Sequence, residues 1–87
     1  NKFIVVYDLI GENKNYDDLI KRLETYPTCL KLNKSAYAIK TNHDHILVRD
    51  ELCKLLDEND SIMVAEITGC AAWHNIECGT DAFKDEF

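Results

Sequence analysis

The hydrophobic and polar positions divide the chain into segments with two different periods. Residues 2–9 form a nearly continuous β-branched and aromatic run, which predicts a central strand with both faces covered. Apolar residues then recur at the i, i+3, i+4, i+7 spacing of one helix face. Asn15 is a suitable N-cap for this helix, and Pro27 predicts its end. The apolar positions of the helix are Tyr16, Leu19, Ile20 and Leu23.

A β-hairpin is predicted after this helix. Residues 28–32 alternate between apolar and polar, and residues 35–41 alternate again, with Tyr37 and Ile39 on one face. The short link Asn33-Lys34 joins the two strands, because Asn tolerates a positive φ.

A second helix and a fourth strand follow the hairpin. Either Asn42 or Asp44 is expected to cap the helix, and Asn59-Asp60 is expected to close it. Residues 62–68 predict the fourth strand, which Gly69 ends. The apolar stripe of the helix is Val48, Leu52, Leu55 and Leu56.

The last residues predict a short tail. Residues 70–79 are expected to be irregular or to form a short edge strand. A short final helix then begins at Thr80, which is its expected cap.

This order of elements predicts an α+β fold, the ferredoxin-like βαββαβ sandwich. Right-handed crossovers place two helices on one face of an antiparallel four-stranded sheet. The 87 residues form one domain, with residues 1–69 as its core and residues 70–87 as a C-terminal tail. Val5 and Val64 are expected on the bare face of the sheet. A bare apolar face indicates a partner, so we expect a homodimer unless the tail covers the face.

Charge is distributed unevenly along the chain. The formal net charge is −6, whereas proteins that bind mainly through phosphate contacts are usually basic. Residues 1–43 contain seven Lys and Arg against five acids, and residues 44–87 contain three against eleven. The two halves predict either complementary faces, within one fold or between subunits, or two solvated surfaces.

The cellular compartment is predicted to be the cytoplasm. No apolar run approaches the roughly 20 residues that span a bilayer, and no secretory signal is evident at the start. The four cysteines are therefore expected to be reduced thiols that mostly fill the core.

Asp8 is the main candidate for chemistry. It ends the first predicted strand, where a carboxylate can hold a divalent metal, and a dimer would bring two copies together. The alternative is an acid that caps the turn after the strand.

Two further polar features have structural explanations. His43-Asp44-His45 is expected to be a helix-start loop, because two histidines at i, i+2 do not share one helix face. Glu66 lies in the fourth predicted strand, where it is expected to face solvent or to pair with a lysine of the hairpin.

Cysteine and histidine recur at i, i+4, i+8 in the tail, at Cys70, His74 and Cys78. On a helix these side chains would line up as soft metal ligands, but this segment is expected to be mostly irregular. A zinc site is therefore not favoured. Trp73 is expected to be a packing anchor for the tail or the dimer.

Several short motifs together resemble the CRISPR-associated protein two superfamily. They are a first strand that ends Val5–Leu9, the hairpin Lys34–Tyr37, the Asn59-Asp60-Ser61 turn, the strand Val64–Gly69, and Ala72-Trp73. The chain is most similar to a branch of small SinR-like proteins, and the virulence-associated protein D ribonucleases belong to the same wider group. The resemblance covers roughly the whole chain.

This resemblance implies a ferredoxin-like homodimer that, in some members, cleaves RNA or DNA with a divalent metal, Mg²⁺ or Mn²⁺. The metal site corresponds to Asp8, and the hairpin serine corresponds to Ser35. In the spacer-acquisition integrase the family is a non-catalytic spacer that basic residues clamp against duplex DNA. The basic residues in question here are Lys21, Arg22, Lys31, Lys34 and Lys40.

This chain departs from the usual basic members in its net charge of −6. Weak DNA clamping is expected unless the basic residues form one patch. Three functions stay open. The first is a metal-dependent nuclease centred on Asp8, and the second is a non-catalytic dimeric module that binds protein or nucleic acid. The third is a small-molecule or regulatory domain with a ligand between subunits.

Overall fold

A four-stranded antiparallel sheet organises the chain in the computed structural model, which describes residues 1–10 and 16–87. The elements follow the predicted order, with a short third helix at the end. They are β1 (Lys2–Asp8), α1 (Tyr16–Glu24), β2 (Thr28–Asn33), β3 (Ala36–Lys40), α2 (His45–Cys53), β4 (Ser61–Glu66) and α3 (Thr80–Glu86). The expected helix cap Asn15 lies outside the described residues.

The strands pair in the order β2-β3-β1-β4. β1 is antiparallel to both of its neighbours, and Val5 faces Tyr37 of β3 and Val64 of β4 across the two ladders. β2 and β3 form the predicted hairpin. This arrangement confirms the α+β, ferredoxin-like fold.

One face of the sheet packs against α1 and α2 and forms the hydrophobic core. Leu19 and Leu23 of α1 and Val48 and Leu52 of α2 are completely buried there. Each buried side chain of this size stabilises the fold by about 1.5–3 kcal/mol. The apolar side chains whose spacing predicted the helices are thus the ones that are buried against the sheet. The strands contribute Phe3, Val5, Tyr7, Tyr37 and Ile39 to the same cluster.

The opposite face, which we call the outer face, carries a different set of side chains from the one predicted. Because Val5 lies in the helix-covered core and Val64 is its ladder partner, the assignment of both to the bare face is wrong. A continuous apolar run shows no alternation, so it does not reveal which residues face the helices. The register places Ile4, Val6, Asp8, Ser61, Met63 and Ala65 on the outer face.

The C-terminal tail covers only part of the outer face. The Glu77 amide donates to the Leu32 carbonyl at 3.0 Å, and the Cys78 amide donates to the Lys31 carbonyl at 2.9 Å, both at the free edge of β2. Phe83 of α3 is buried. On the β4 side, Val6 and Met63 remain 45% and 66% exposed. We call this uncovered part, made of Val6, Asp8, Ser61 and Met63, the open half-face.

The hairpin turn lies one residue later than predicted. The link is Lys34-Ser35, not Asn33-Lys34, because Asn33 pairs with Ala36 as the last residue of β2. The Asn33 side-chain oxygen accepts a hydrogen bond from the backbone amide of Ser35 at 2.9 Å, which stabilises the turn.

The first turn of α2 is as predicted, but its end is not. Asp44 is the N-cap, and its carboxylate accepts from the Leu47 amide at 2.8 Å. The helix ends at Cys53, well before Asn59-Asp60, and Leu55 lies in the turn that follows. This segment still packs its apolar side chain Leu56 against the core, so the stripe extends beyond the helix.

Thr80 is the first residue of α3 and not its cap. The N-cap is Gly79, whose φ of 87° lies in the left-handed region that favours glycine. The Thr80 hydroxyl instead accepts a hydrogen bond from the Trp73 indole at 3.2 Å. Among residues 1–10 and 16–87, no helix is long and apolar enough to cross a membrane.

Candidate functional site

Asp8 lies at the end of β1, where its position opposite Ser61 places it on the outer face. Its side chain is exposed. It borders a shallow groove of about 230 Å³ on the open half-face. The groove is lined by Val6, Tyr7, Asp8, Ser61, Ile62 and Met63. An exposed carboxylate therefore stands beside an exposed apolar strip.

Ser35 lies at the same end of the sheet as Asp8. Its carbonyl accepts a hydrogen bond from the Tyr7 backbone amide at 2.9 Å. The Tyr7 hydroxyl donates to the neighbouring carbonyl of Lys34 at 3.2 Å. These two bonds tie the hairpin turn to the residue before Asp8, so the structure brings the two predicted catalytic positions to one end.

Asp60 fixes the backbone next to Asp8. One carboxylate oxygen accepts from the Ile10 amide at 2.8 Å, and the other accepts from the Asp57 amide at 2.9 Å. The chain that leaves β1 is thereby held against the turn that enters β4. The sequence motif around Asp60 resembled the family, but its bridging role depends on two loops meeting and has no local signal.

The donor set at Asp8 fits a divalent metal only as an incomplete site. Within the described ranges 1–10 and 16–87, no group of three or more His, Cys, Asp or Glu side chains could hold a metal ion. Mg²⁺, however, usually takes only one or two carboxylates and completes its shell with water and substrate phosphate. A pair of Asp8 carboxylates from two subunits would meet that requirement.

The predicted nucleic-acid-binding residues are partly neutralised by acids of the same chain. Arg22 pairs with Glu51 at 2.6 Å and lies between the helices. In the described part of the chain, Lys21 and Lys34 are exposed and form no ion pair. The other two members contact the tail: Lys31 lies 3.6 Å from Glu77, and Lys40 lies 3.4 Å from Glu86.

A polar network around Glu51 was not predicted from the sequence. The Glu51 carboxylate accepts from the Arg22 guanidinium at 2.6 Å and from the Tyr26 hydroxyl at 2.9 Å, and lies 3.0 Å from His43 Nδ1. Burial opposes ionisation, but these hydrogen bonds and the Arg22 charge outweigh it and lower the pKa of Glu51. Glu51 lies 29 residues from Arg22 and 25 from Tyr26 in the sequence, so no spacing signal could reveal these contacts.

The cysteines do not fill the core as expected, because Cys53 and Cys70 are exposed and Cys29 and Cys78 are only half-buried. His43 belongs to the Glu51 network, and His45 is the exposed first residue of α2. Residues 70–79 are irregular, as expected. Trp73 packs against Phe83 with ring centroids 4.7 Å apart, which confirms its role as an anchor of the tail. Glu66 is exposed at the end of β4.

Comparison with known proteins identifies the family of the chain. The family model described as CRISPR associated protein Cas2 matches residues 1–73, which include the complete sheet, α1, α2 and Asp8. The comparisons with curated proteins and with solved structures found no match. Because the family match covers most of the chain, the chain belongs to the CRISPR-associated protein Cas2 family.

Proposed function

We propose that this Cas2-family protein is a homodimeric, divalent-metal-dependent endonuclease that cleaves RNA or DNA at a site centred on Asp8. One observation carries the proposal: the exposed Asp8 carboxylate lies on the open half-face, beside the exposed apolar side chains of Val6 and Met63. The same surface thus offers both an interface and a metal ligand.

The dimer follows from the apolar part of the open half-face. Exposed apolar side chains that lie side by side can mark a protein–protein interface, and Val6 and Met63 are such a pair. In a two-fold dimer the same patch meets itself, so Val6 and Met63 of each subunit would be buried by their counterparts. With its axis at the Asp8 end of the strands, such a dimer brings the two Asp8 carboxylates together.

The chemistry uses this pair of carboxylates. They would hold Mg²⁺ or Mn²⁺ together with water and a phosphate oxygen of the substrate. When bound, the metal polarises the phosphodiester and lowers the pKa of a water nucleophile. Asp60 keeps the backbone after Asp8 in place through its bond to the Ile10 amide. The exposed Ser35 is the positioning residue for the substrate, and the exposed Lys34 beside it offers a cation.

A non-catalytic dimeric module that binds protein or nucleic acid is the second candidate. A specific observation favours it: three of the five basic candidates are already paired with acids of the same chain. The net charge of −6 points the same way, since cationic contacts drive phosphate binding. In this case the open half-face would serve only for assembly.

A cleavage assay distinguishes the two functions. The purified protein is incubated with single-stranded RNA and with double-stranded DNA, in Mg²⁺, in Mn²⁺ and in chelator. Asp8→Asn is compared with Asp85→Asn, which makes the same change at an exposed position on α3. We expect cleavage that chelator abolishes, that Asp8→Asn lacks and that Asp85→Asn keeps.

Two results would contradict the nuclease. If the folded dimer cleaves neither substrate, the protein is a binding module. If Asp8→Asn cleaves as well as Asp85→Asn, the chemistry lies elsewhere. Circular dichroism and sedimentation of each variant show that the fold and the assembly are intact.

A further inference from the structure

Ser61 lies directly opposite Asp8 in the ladder between β1 and β4. Opposed residues of an antiparallel pair point to the same face of the sheet, with Cβ atoms about 4.5–5.5 Å apart. Ser61 is exposed, and it lines the same groove of about 230 Å³ as Asp8. The hydroxyl of Ser61 and the carboxylate of Asp8 are therefore neighbours on the open half-face.

The side chains of Asp8 and Ser61 form no hydrogen bond or ion pair with the rest of the chain over residues 1–10 and 16–87. The next outer-face residues on the two strands, Val6 and Met63, are apolar and exposed. Asp60, by contrast, uses one carboxylate oxygen on the Ile10 amide and the other on a second backbone amide. The open half-face thus presents two adjacent side-chain oxygen groups whose bonding capacity is unused.

A hydroxyl oxygen beside a carboxylate suits a hard divalent cation. Mg²⁺ prefers oxygen ligands, and nucleotide hydrolases with a phosphate-binding loop hold it with one serine or threonine hydroxyl and one aspartate. A hydroxyl also adds a ligand without adding negative charge. It therefore adds no repulsion between charges where two Asp8 carboxylates are brought together. The residue types of the pair and their placement both match a metal site.

We propose that the Ser61 hydroxyl is an oxygen ligand of the divalent cation that Asp8 binds. The inference rests on the proposed function and adds a second residue to the same metal site. Asp8 supplies the negative charge that attracts the cation, and Ser61 supplies a neutral oxygen from the neighbouring strand. Because the two residues are paired in the ladder, the sheet itself fixes the spacing of their Cβ atoms.

The affinity for Mn²⁺ tests the inference without requiring cleavage. Electron paramagnetic resonance measures the Kd of Mn²⁺ for the wild type, Ser61→Ala and Asp8→Asn. Thr68→Ala is the matched control, because it removes a hydroxyl at an exposed position beyond the opposite end of β4. We expect Ser61→Ala to weaken Mn²⁺ binding by about tenfold and Asp8→Asn to abolish it. Thr68→Ala should keep the wild-type Kd.

A gain of affinity distinguishes a metal ligand from a residue that only supports the fold. Ser61→Asp places a charged oxygen ligand at the same position, and we expect Mn²⁺ to bind about tenfold more tightly, because the charge of the ligands sets the affinity of such sites. Thr68→Asp adds the same charge at the control position and should leave the Kd unchanged. Circular dichroism and sedimentation measure the fold and the assembly of each variant.

The outcomes distinguish this inference from the proposed function. If Ser61→Ala binds Mn²⁺ as tightly as Thr68→Ala, or if the two aspartate variants gain equally, Ser61 is not a ligand, whatever the cleavage assay gives. If Ser61→Ala loses affinity but the wild type cleaves neither RNA nor DNA, the metal site is supported and the nuclease function is wrong. If the folded wild type binds no Mn²⁺, both are overturned.

Discussion

The two faces of the sheet differ most clearly at two adjacent valines. Val5 is 0% exposed beneath the helices, whereas Val6, the same residue type one position later, is 45% exposed on the outer face. Since strand side chains alternate, the difference comes only from what packs against each face. One face has α1 and α2, and the other has a tail that stops short of β4.

The two faces contribute differently to the stability of the domain. The helix-covered face buries the contiguous core and holds the domain together. The open half-face contributes little to that core, yet it carries Asp8 and the apolar strip beside it. A surface that does not stabilise the monomer is available for a partner.

The largest difference between the two faces is expected when a charge is placed at each valine. Val5→Asp buries a carboxylate among apolar side chains, and we expect a loss of more than about 4 kcal/mol, enough to unfold a domain of this size. Val6→Asp places the same charge on the open half-face, outside the core, so the fold should remain. Circular dichroism and urea unfolding measure both. Equal destabilisation by the two variants would contradict the assignment of the faces.

A smaller effect is expected at Glu51, which lies between the helices on the covered side. Its side chain is only 16% exposed and has three hydrogen-bonding partners. Glu51→Gln should lower the free energy of unfolding by about 2 kcal/mol, because hydrogen bonds to a charged group are weakened. Glu66→Gln changes an exposed glutamate and is the control. If both variants unfold at the same urea concentration, the network does not stabilise the fold.

Glu51 should also make the free energy of unfolding depend on pH. The pKa of Glu51 is lowered from 4.5 in the folded state, so the unfolded chain takes up a proton first as the pH falls. The contribution of Glu51 is therefore complete above pH 4.5 and is lost as the pH falls through the folded pKa. Glu51→Gln should flatten the acid side of the stability curve. A curve that matches Glu66→Gln would contradict this expectation.

The smallest effect is expected at Tyr7, which is buried on the covered side. Burial raises its pKa from 10 to about 12, so its contribution is complete below pH 10 and is lost as the pH rises towards 12. Tyr7→Phe removes the hydrogen bond to the Lys34 carbonyl and should destabilise by about 1 kcal/mol. The absorbance of phenolate should show one fewer tyrosine that ionises well above pH 10. An unchanged titration would place Tyr7 in contact with solvent.

The sequence predicted the elements whose signals are local. The spacing of Leu19 and Leu23 depends on residues within a few positions of each other, and it is confirmed. The cap of α2 was narrowed to Asn42 or Asp44, and the structure selects Asp44. The order of strands and helices allows only a few sheet topologies, so the antiparallel four-stranded sheet was also predictable. Trp73 was expected to anchor the tail or the dimer, and it packs against Phe83 of the tail.

Features that depend on distant contacts were not predictable. Val5 and Val64 were placed on the wrong face because only the strand register decides the face of a continuous apolar run. The Glu51 network joins the two helices and the loop before α2, and such meetings leave no periodic pattern. The end of α2 and the hairpin turn were also misplaced, even though a contact that fixes the turn, that of Asn33 with the Ser35 amide, is local.

The role of the open half-face is tested most directly by sedimentation of the wild-type protein and two matched variants. Met63→Glu places a charge on the open half-face, and Ile46→Glu makes the same kind of change at an exposed apolar position on α2. We predict that the wild type and Ile46→Glu are dimers and that Met63→Glu is a folded monomer. A monomeric wild type, or a Met63→Glu variant that remains a dimer, would contradict the account.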